Sequence, residues 1–184
     1  LRCYAVGDFE TVHDINLHGL AFWDDGNAET TRPWFSAFSF PMIEKSVEKG
    51  ENYEGFVYAL LVDPENSPNV FVGGQFDWIG DSEFLGSIIY LSASTLDFIT
   101  VGGGLWTLIT DVVYCLDVSS APCEGVVQGG QVRALTHWAT GPLGADTYLF
   151  AAGYFSLNSN HEPLSHIAYV KLSDDLFAPD GAVW

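Results

Sequence analysis

A strand-like run ending in Gly-x-Phe recurs three times along these 184 residues. The copies are Tyr4-Ala5-Val6-Gly7-Asp8-Phe9, Phe71-Val72-Gly73-Gly74-Gln75-Phe76 and Phe150-Ala151-Ala152-Gly153-Tyr154-Phe155. A recurring unit constrains architecture more than any single motif, because each copy buries its apolar face on its neighbours. The spacing of Gly7, Gly74 and Gly153 gives about two and a half copies rather than a two-domain enzyme.

The repeat extends past its anchor. A second strand-like run follows each glycine, at Leu20 to Trp23, Ile88 to Leu91 and Ile167 to Val170. A looser third run covers Trp34 to Phe40, Phe98 to Val101 and Phe177 to Trp184. A fourth, at Gly55 to Leu60 and Gly130 to Leu135, leads through turns rich in Pro, Gly, Asn and Asp into the next anchor. The predicted fold is therefore all-β, built of antiparallel four-stranded blade-like repeats in a partial or open β-propeller. The predicted units are 1–66, 67–146 with an insertion at about 105–127, and an incomplete 147–184. Ile43 to Lys49 is expected to be a charged inserted loop, since no segment sustains helical periodicity. Two runs compete for the fourth strand of the second unit, Val112 to Val118 and Val132 to Trp138. The second is favoured because it abuts the next anchor, leaving the first as an extra hairpin strand. The chain begins inside an anchor run and stops before a fourth strand of the third unit, so a processed or incomplete piece of something longer is expected.

Composition narrows the partners. Lys and Arg total 6 against 24 Asp and Glu, for a net charge of −18. That field repels phosphate backbones and argues against nucleic acid. It suits a soluble, secreted or surface-exposed protein, or a cation binder, and a solvated acidic surface explains it as well. Apolar runs fall far short of the ~20 residues of a membrane helix. Of the three cysteines, Cys115 and Cys123 bracket a short segment of the insertion, where a disulfide is expected in an oxidising compartment. Cys3 is then odd.

Val72-Gly73-Gly74-Gln75-Phe76, Phe22-Trp23-Asp24-Asp25-Gly26, Gly102-Gly103-Gly104 and Val57-Tyr58-Ala59-Leu60 together resemble a known pattern. It is that of the kelch-like, galactose-oxidase-type propeller repeats of cortical cell-polarity marker proteins, with related delta-60-type repeats in large bacterial surface proteins. The resemblance covers most of the chain. It implies extracellular or cell-surface repeat arrays with scaffold or recognition roles, and carries over no catalytic residues. The chain departs from the pattern in its insertion, in the Ala151-Ala152-Gly153 anchor and in having fewer units than the roughly four to eight blades of closed propellers.

Catalytic motifs are absent: there is no Gly-x-Ser-x-Gly elbow and no phosphate-cradling Gly-x-x-x-x-Gly-Lys. His161 and His166 are five apart with Pro163 between them, which breaks the helical spacing a zinc-protease motif needs. Asp24, Asp25 and Asn27 are hard-oxygen candidates for calcium, though a turn relieved by Gly26 explains them as well. No cofactor is otherwise expected. Among Trp34, Trp78, Trp106 and Trp138, Trp78 flanked by Asp77 and Asp81 is the ligand-binding candidate, for a glycan or a protein partner. Packing between repeats accounts for the same tryptophans.

These readings predict a non-enzymatic extracellular structural or interaction protein. Its partners are expected to be other protein chains, in self-assembly that forms fibrils if it does not close, or the remaining repeats of a longer protein. A carbohydrate-binding surface module is the alternative, and a propeller glycosidase a further one.

Overall fold

The computed structural model describes residues 2–7, 9, 11–12, 15–16, 19–24, 34–36, 42–45, 52–76, 78–79, 86–109, 126–140, 146–158, 162–172 and 184. Their regular elements are all β-strands. In chain order these are β1 (Arg2–Val6), β2 (Thr11–Val12), β3 (Ile15–Asn16), β4 (Leu20–Asp24), β5 (Trp34–Ser36) and β6 (Met42–Lys45). Then come β7 (Asn52–Glu54), β8 (Phe56–Val62), β9 (Val70–Gln75), β10 (Trp78–Ile79), β11 (Ile88–Leu91) and β12 (Phe98–Thr100). The last are β13 (Leu105–Ile109), β14 (Val126–Gly129), β15 (Gln131–Thr140), β16 (Asp146–Tyr154), β17 (Leu157–Asn158) and β18 (Ile167–Leu172). No helix among the described residues is long and apolar enough to cross a membrane.

The strands form antiparallel sheets of two to four strands, and those described close no barrel or ring. Three larger sheets are meanders: β1-β4-β5, β8-β9-β11-β12 and β15-β16-β18. Two smaller sheets, β7-β6-β10 and β14-β13-β17, lie between them in the chain. The run expected to end one unit in fact begins the next sheet, because β8 pairs with β9 and β15 with β16. Of the two competing runs, Val132 to Trp138 lies within β15, and residues 112–118 lie outside the described residues.

One expectation is corrected. Met42–Lys45 is a strand, not a loop, because β7 and β10 pair with it on both sides. Neighbouring strands decide β structure more than local composition does. The segment at about 105–127 is described only at its ends, with residues 110–125 outside the described residues. Its two ends form the hairpin β13–β14, the counterpart of β6–β7, and each hairpin captures a short strand starting four residues after an anchor glycine, at Trp78 or Leu157.

The glycine of Gly-x-Phe follows from a β-bulge. The register of β8 on β9 slips between Val57 and Ala59, and that of β15 on β16 between Val132 and Ala134. Tyr58 and Arg133 are thus extra residues at matching places, and a bulge kinks its strand locally. The bend drives the preceding carbonyl onto the anchor. A Cβ on Gly74 would stand 2.0 Å from the Phe56 oxygen, and one on Gly153 would stand 1.8 Å from that of Gln131. The phenylalanine then covers the glycine: Phe76 ring carbons lie 2.8 and 2.9 Å from the same Cβ position. The return of the chain repeats as well. The N–H groups of Gly7, Gly74 and Gly153 donate to the carbonyls of Gly19, Ser87 and His166 at 3.1, 3.0 and 3.0 Å. Those three acceptors all have left-handed φ, at 77°, 67° and 64°.

Strand alternation then splits the core in two. Val70, Val72, Ile89 and Leu91 of the second sheet pack with Leu20 and Phe22 of the first. Phe71, Ile88 and Tyr90 on its other face pack with Leu149, Ala151, Ala168 and Val170 of the third. The second sheet is therefore covered on both sides.

Replacing Gly74 or Gly153 by Ala should destabilise the chain by about 3 kcal/mol, the upper range for forcing volume into a packed site. Urea unfolding checks this: the midpoint falls for both variants, and an unchanged midpoint would contradict the bulge account.

Candidate functional site

Among the described residues, the third sheet has one covered face and one open face. Along β18 the residues alternate strictly between exposed and buried, and β16 follows the same rhythm over Asp146 to Ala151. Val132, Leu149, Ala151, Ala168, Val170 and Leu172 point into the core. Ala134, Thr136, Phe150, Ala152, Ile167 and Tyr169 lie on the other side. Register sets their neighbours: Phe150 is opposite Tyr169, and Ala152 is opposite Ile167. The hairpin β15–β16 also continues past the point where β8–β9 has turned, through Trp138 opposite Tyr148 to Thr140 opposite Asp146. Rings form a tilted chain there: Trp138 to Tyr148 at 6.4 Å, Tyr148 to Tyr169 at 6.0 Å and Tyr169 to Phe150 at 5.6 Å. Beside it lies a groove of about 260 Å³, lined by Ala134, Thr136, Phe150, Ala152 and Ile167 among others.

The other sheets show what this face is. Counting from the anchor glycines and the strand registers, Leu20, Ile88 and Ile167 are equivalent, as are Phe22, Tyr90 and Tyr169. Leu20 and Ile88 are 0% exposed, whereas Ile167 is 66% exposed. Phe22 and Tyr90 are 6% and 8% exposed, whereas Tyr169 is 59% exposed. The groove has a filled counterpart too. Ala152 corresponds to Gly73, and a Cβ on Gly73 would meet Val132 Cγ1 at 2.5 Å and Leu135 Cδ1 at 3.3 Å. Val132 and Leu135 of the following sheet thus occupy on the second sheet the place that is open on the third.

Polar contacts mark the edges of this arrangement. The Arg133 guanidinium lies 4.0 Å from the centre of the Tyr58 ring, so the bulge residues of successive sheets stack on each other. Arg133 also donates to Gln131 Oε1, and the Tyr58 hydroxyl donates to Gln75 Oε1 at 3.0 Å. Lys171 pairs with Asp146 at the rim of the open face, and the hydrogen bond to that carboxylate raises the lysine pKa. Exposed pairs of this kind stabilise little.

A second polar cluster closes the turn between β8 and β9. Buried Asp63 accepts from the Glu65 N–H at 2.8 Å, Asn66 Nδ2 at 3.1 Å and the Tyr90 hydroxyl at 2.7 Å. Asn69 donates to the Tyr90 oxygen at 2.7 Å and accepts from the Ala93 N–H at 2.9 Å. The carboxylate is engaged on both oxygens, which is the arrangement of a structural lock rather than of an acid–base site. Burial, then the hydrogen bond to Asp63, pushes the Tyr90 hydroxyl up to about 12.

The sequence-predicted site residues are scattered. Trp78 begins β10 opposite Ile43, with its side chain, Asp77 and Asp81 outside the described residues. Cys115 and Cys123 also lie outside them, while Cys3 on β1 is a free, exposed thiol. Asp24 ends β4 opposite Arg2, and Asp25 and Asn27 are not among the described residues. His166 stacks on Tyr154 at 5.7 Å, and His161 is outside the described residues. No group of three or more metal-ligating side chains occurs among the described residues. Sequence reasoning missed Phe150, Ile167 and Tyr169 as surface residues, though polar Thr136, opposite Phe150, and Lys171, on the strand of Ile167 and Tyr169, were a signal. No family model, curated protein or solved structure matches the chain.

Tyr90 supplies a pH test with a defined sign. Its folded pKa lies above the ordinary 10.0, so its contribution to stability is intact below pH 10 and is lost as pH rises through about 12. Tyr90→Phe should lower stability by about 1–2 kcal/mol at neutral pH and shrink the further loss between pH 10 and 12. Thermal melts of both proteins across that range check it.

Proposed function

We propose that the chain is a non-enzymatic structural protein of β-propeller-like repeats, which assembles with neighbouring copies through the open face of its third sheet. The observation that carries this reading is the equivalence of Ile167 and Tyr169 to Ile88 and Tyr90. An apolar sheet face that is covered wherever a following sheet exists is a face made for another sheet. Packed sheets of this type stand about 10 Å apart and interdigitate their side chains. An exposed patch of this character marks a protein contact more readily than a solvent surface.

The partner supplies a sheet, and the first sheet of a second copy offers one. Its residues Cys3, Ala5, Ala21 and Trp23 are equivalent to Val70, Val72, Ile89 and Leu91, which make the internal contact. Cys3 and Trp23 are exposed, Ala5 is half-buried and Ala21 is buried, so the edge of this face nearest Cys3 and Trp23 is the part on offer. Contact of one copy's third sheet with the next copy's first is head-to-tail, and it builds either a ring or a filament depending on whether the rotation closes. The same equivalence weighs against a glycan platform, because the ring planes are tilted to one another by 30° to 68° instead of forming one flat surface. The acidity and the resemblance noted above support an extracellular or cell-surface setting.

Light scattering over a concentration series tests the assembly. The mass should rise above the 20.1 kDa of one chain. Ile167→Lys and Tyr169→Lys, both at exposed positions, should hold the chain at one copy without lowering its melting temperature. A wild-type chain that stays single at every concentration would contradict the proposal, as would variants that associate unchanged.

A further inference from the structure

The charge of this chain is unevenly placed. Residues 125–173 hold two acids, Asp146 and Glu162, and two bases, Arg133 and Lys171. The other 22 of the 24 acids and 4 of the 6 bases lie outside that run, and so does the whole net charge of −18. All three strands of the third sheet, β15, β16 and β18, fall inside it. The charges it does hold are engaged locally. Lys171 pairs with Asp146, Asn158 Nδ2 donates to Glu162 Oε2 at 2.8 Å, and Arg133 stacks on Tyr58. On β18 the charged residue beside Ile167 and Tyr169 is a base, Lys171. The face proposed above as the joint therefore belongs to the neutral part of a strongly acidic molecule. The unit it would meet, residues 1–66, carries 12 acids and 4 bases.

Two copies of such a chain repel before they touch. A domain of this length has a radius of gyration of about 16 Å, which puts the centres of touching copies roughly 40 Å apart. Salt screens charge over about 30 Å at 0.01 M but over only about 8 Å at 0.15 M. At the lower salt, approaching copies repel each other as whole charged bodies. At the higher salt only groups close to the joint count, and on the third-sheet side these cancel.

We propose that assembly through the third sheet is switched by ionic strength, and that the neutral run 125–173 is what lets copies join at physiological salt. This rests on the third-sheet contact proposed above and specifies its regulation. The same distribution limits which contacts form. Juxtaposed like charges disfavour wrong pairings, so a first unit meeting another first unit is opposed, and the joint uses the third sheet on at least one side.

The test is light scattering of the full chain over a concentration series at about 0.01 M and about 0.15 M sodium chloride. Association should be about tenfold or more weaker at the lower salt. Choline chloride should replace sodium chloride without effect, because screening does not depend on which cation supplies it. Glu65 and Asp97 are exposed acids at the turns of the second sheet. Glu65→Lys combined with Asp97→Lys should strengthen association severalfold at the lower salt and change it little at the higher. His137 and Ser165 are exposed residues of the neutral run. His137→Glu combined with Ser165→Glu should weaken association at both salts. Unchanged melting temperatures show that the variants fold; if one does not, the salt series of the native chain decides alone. Equal association of the native chain at the two salts overturns the inference and leaves the third-sheet contact standing. A chain that stays single at both removes both readings. A requirement for sodium that choline cannot meet also overturns it, since a bound cation would then be responsible. So does an Ile167→Lys chain that associates at the higher salt, because salt would then be promoting a different contact.

Discussion

The contact of a bulged strand's carbonyl with a glycine α-carbon is the constraint on which the other features depend. A side chain at Gly74 or Gly153 would overlap the carbonyl of Phe56 or Gln131. With glycine there, the bulge persists, and the first strand of each sheet bends at Tyr58 or Arg133. The bend sets Val57 and Val132 between sheets rather than in solvent. It also brings Arg133 over Tyr58, so the irregularity in one sheet touches the irregularity in the next. A backbone detail of one residue thus fixes how neighbouring sheets stack.

Stacking then decides which residues are core and which are surface. The second sheet buries both faces, and Phe71, Ile88 and Tyr90 gain roughly 1.5–3 kcal/mol each for a large apolar side chain removed from water. Phe150, Ile167 and Tyr169 occupy the same positions on the third sheet, where no further sheet packs on them among the described residues. Their exposure is a feature of the neighbour, not of the strand. The Asp63–Tyr90–Asn69 lock belongs only to the second sheet's short turn; the third sheet extends its hairpin to Thr140 and Asp146 instead.

Much of this was legible in the residues themselves. Alternating and all-apolar runs such as Val70 to Val72 and Ile88 to Leu91 mark strands unaided, and Gly-x-Phe marks their anchors. Met42–Lys45 was not legible as a strand, because Glu44 and Lys45 read as solvent-facing and its pairing partners lie in separate parts of the chain. Two-residue strands such as β10 and β17 carry no periodicity at all. Trp78 begins one of these, opposite Ile43, and the periodicity of its neighbours does not announce it. The open face was hidden for a different reason. Ile167-Ala168-Tyr169-Val170 and Ile88-Ile89-Tyr90-Leu91 share one apolar pattern, and what differs among the described residues is whether a further sheet packs on the Ile and the Tyr.

Tyr90 and Tyr169 therefore form a matched pair for the central claim, that the third sheet's open face is an inter-sheet contact awaiting its second side. Hydroxyl-radical footprinting read by mass spectrometry measures both in one sample, dilute and concentrated. The account predicts that Tyr169 reacts freely when dilute and becomes as protected as Tyr90 when the chain assembles. A Tyr169 that stays fully reactive in the assembled protein would contradict it.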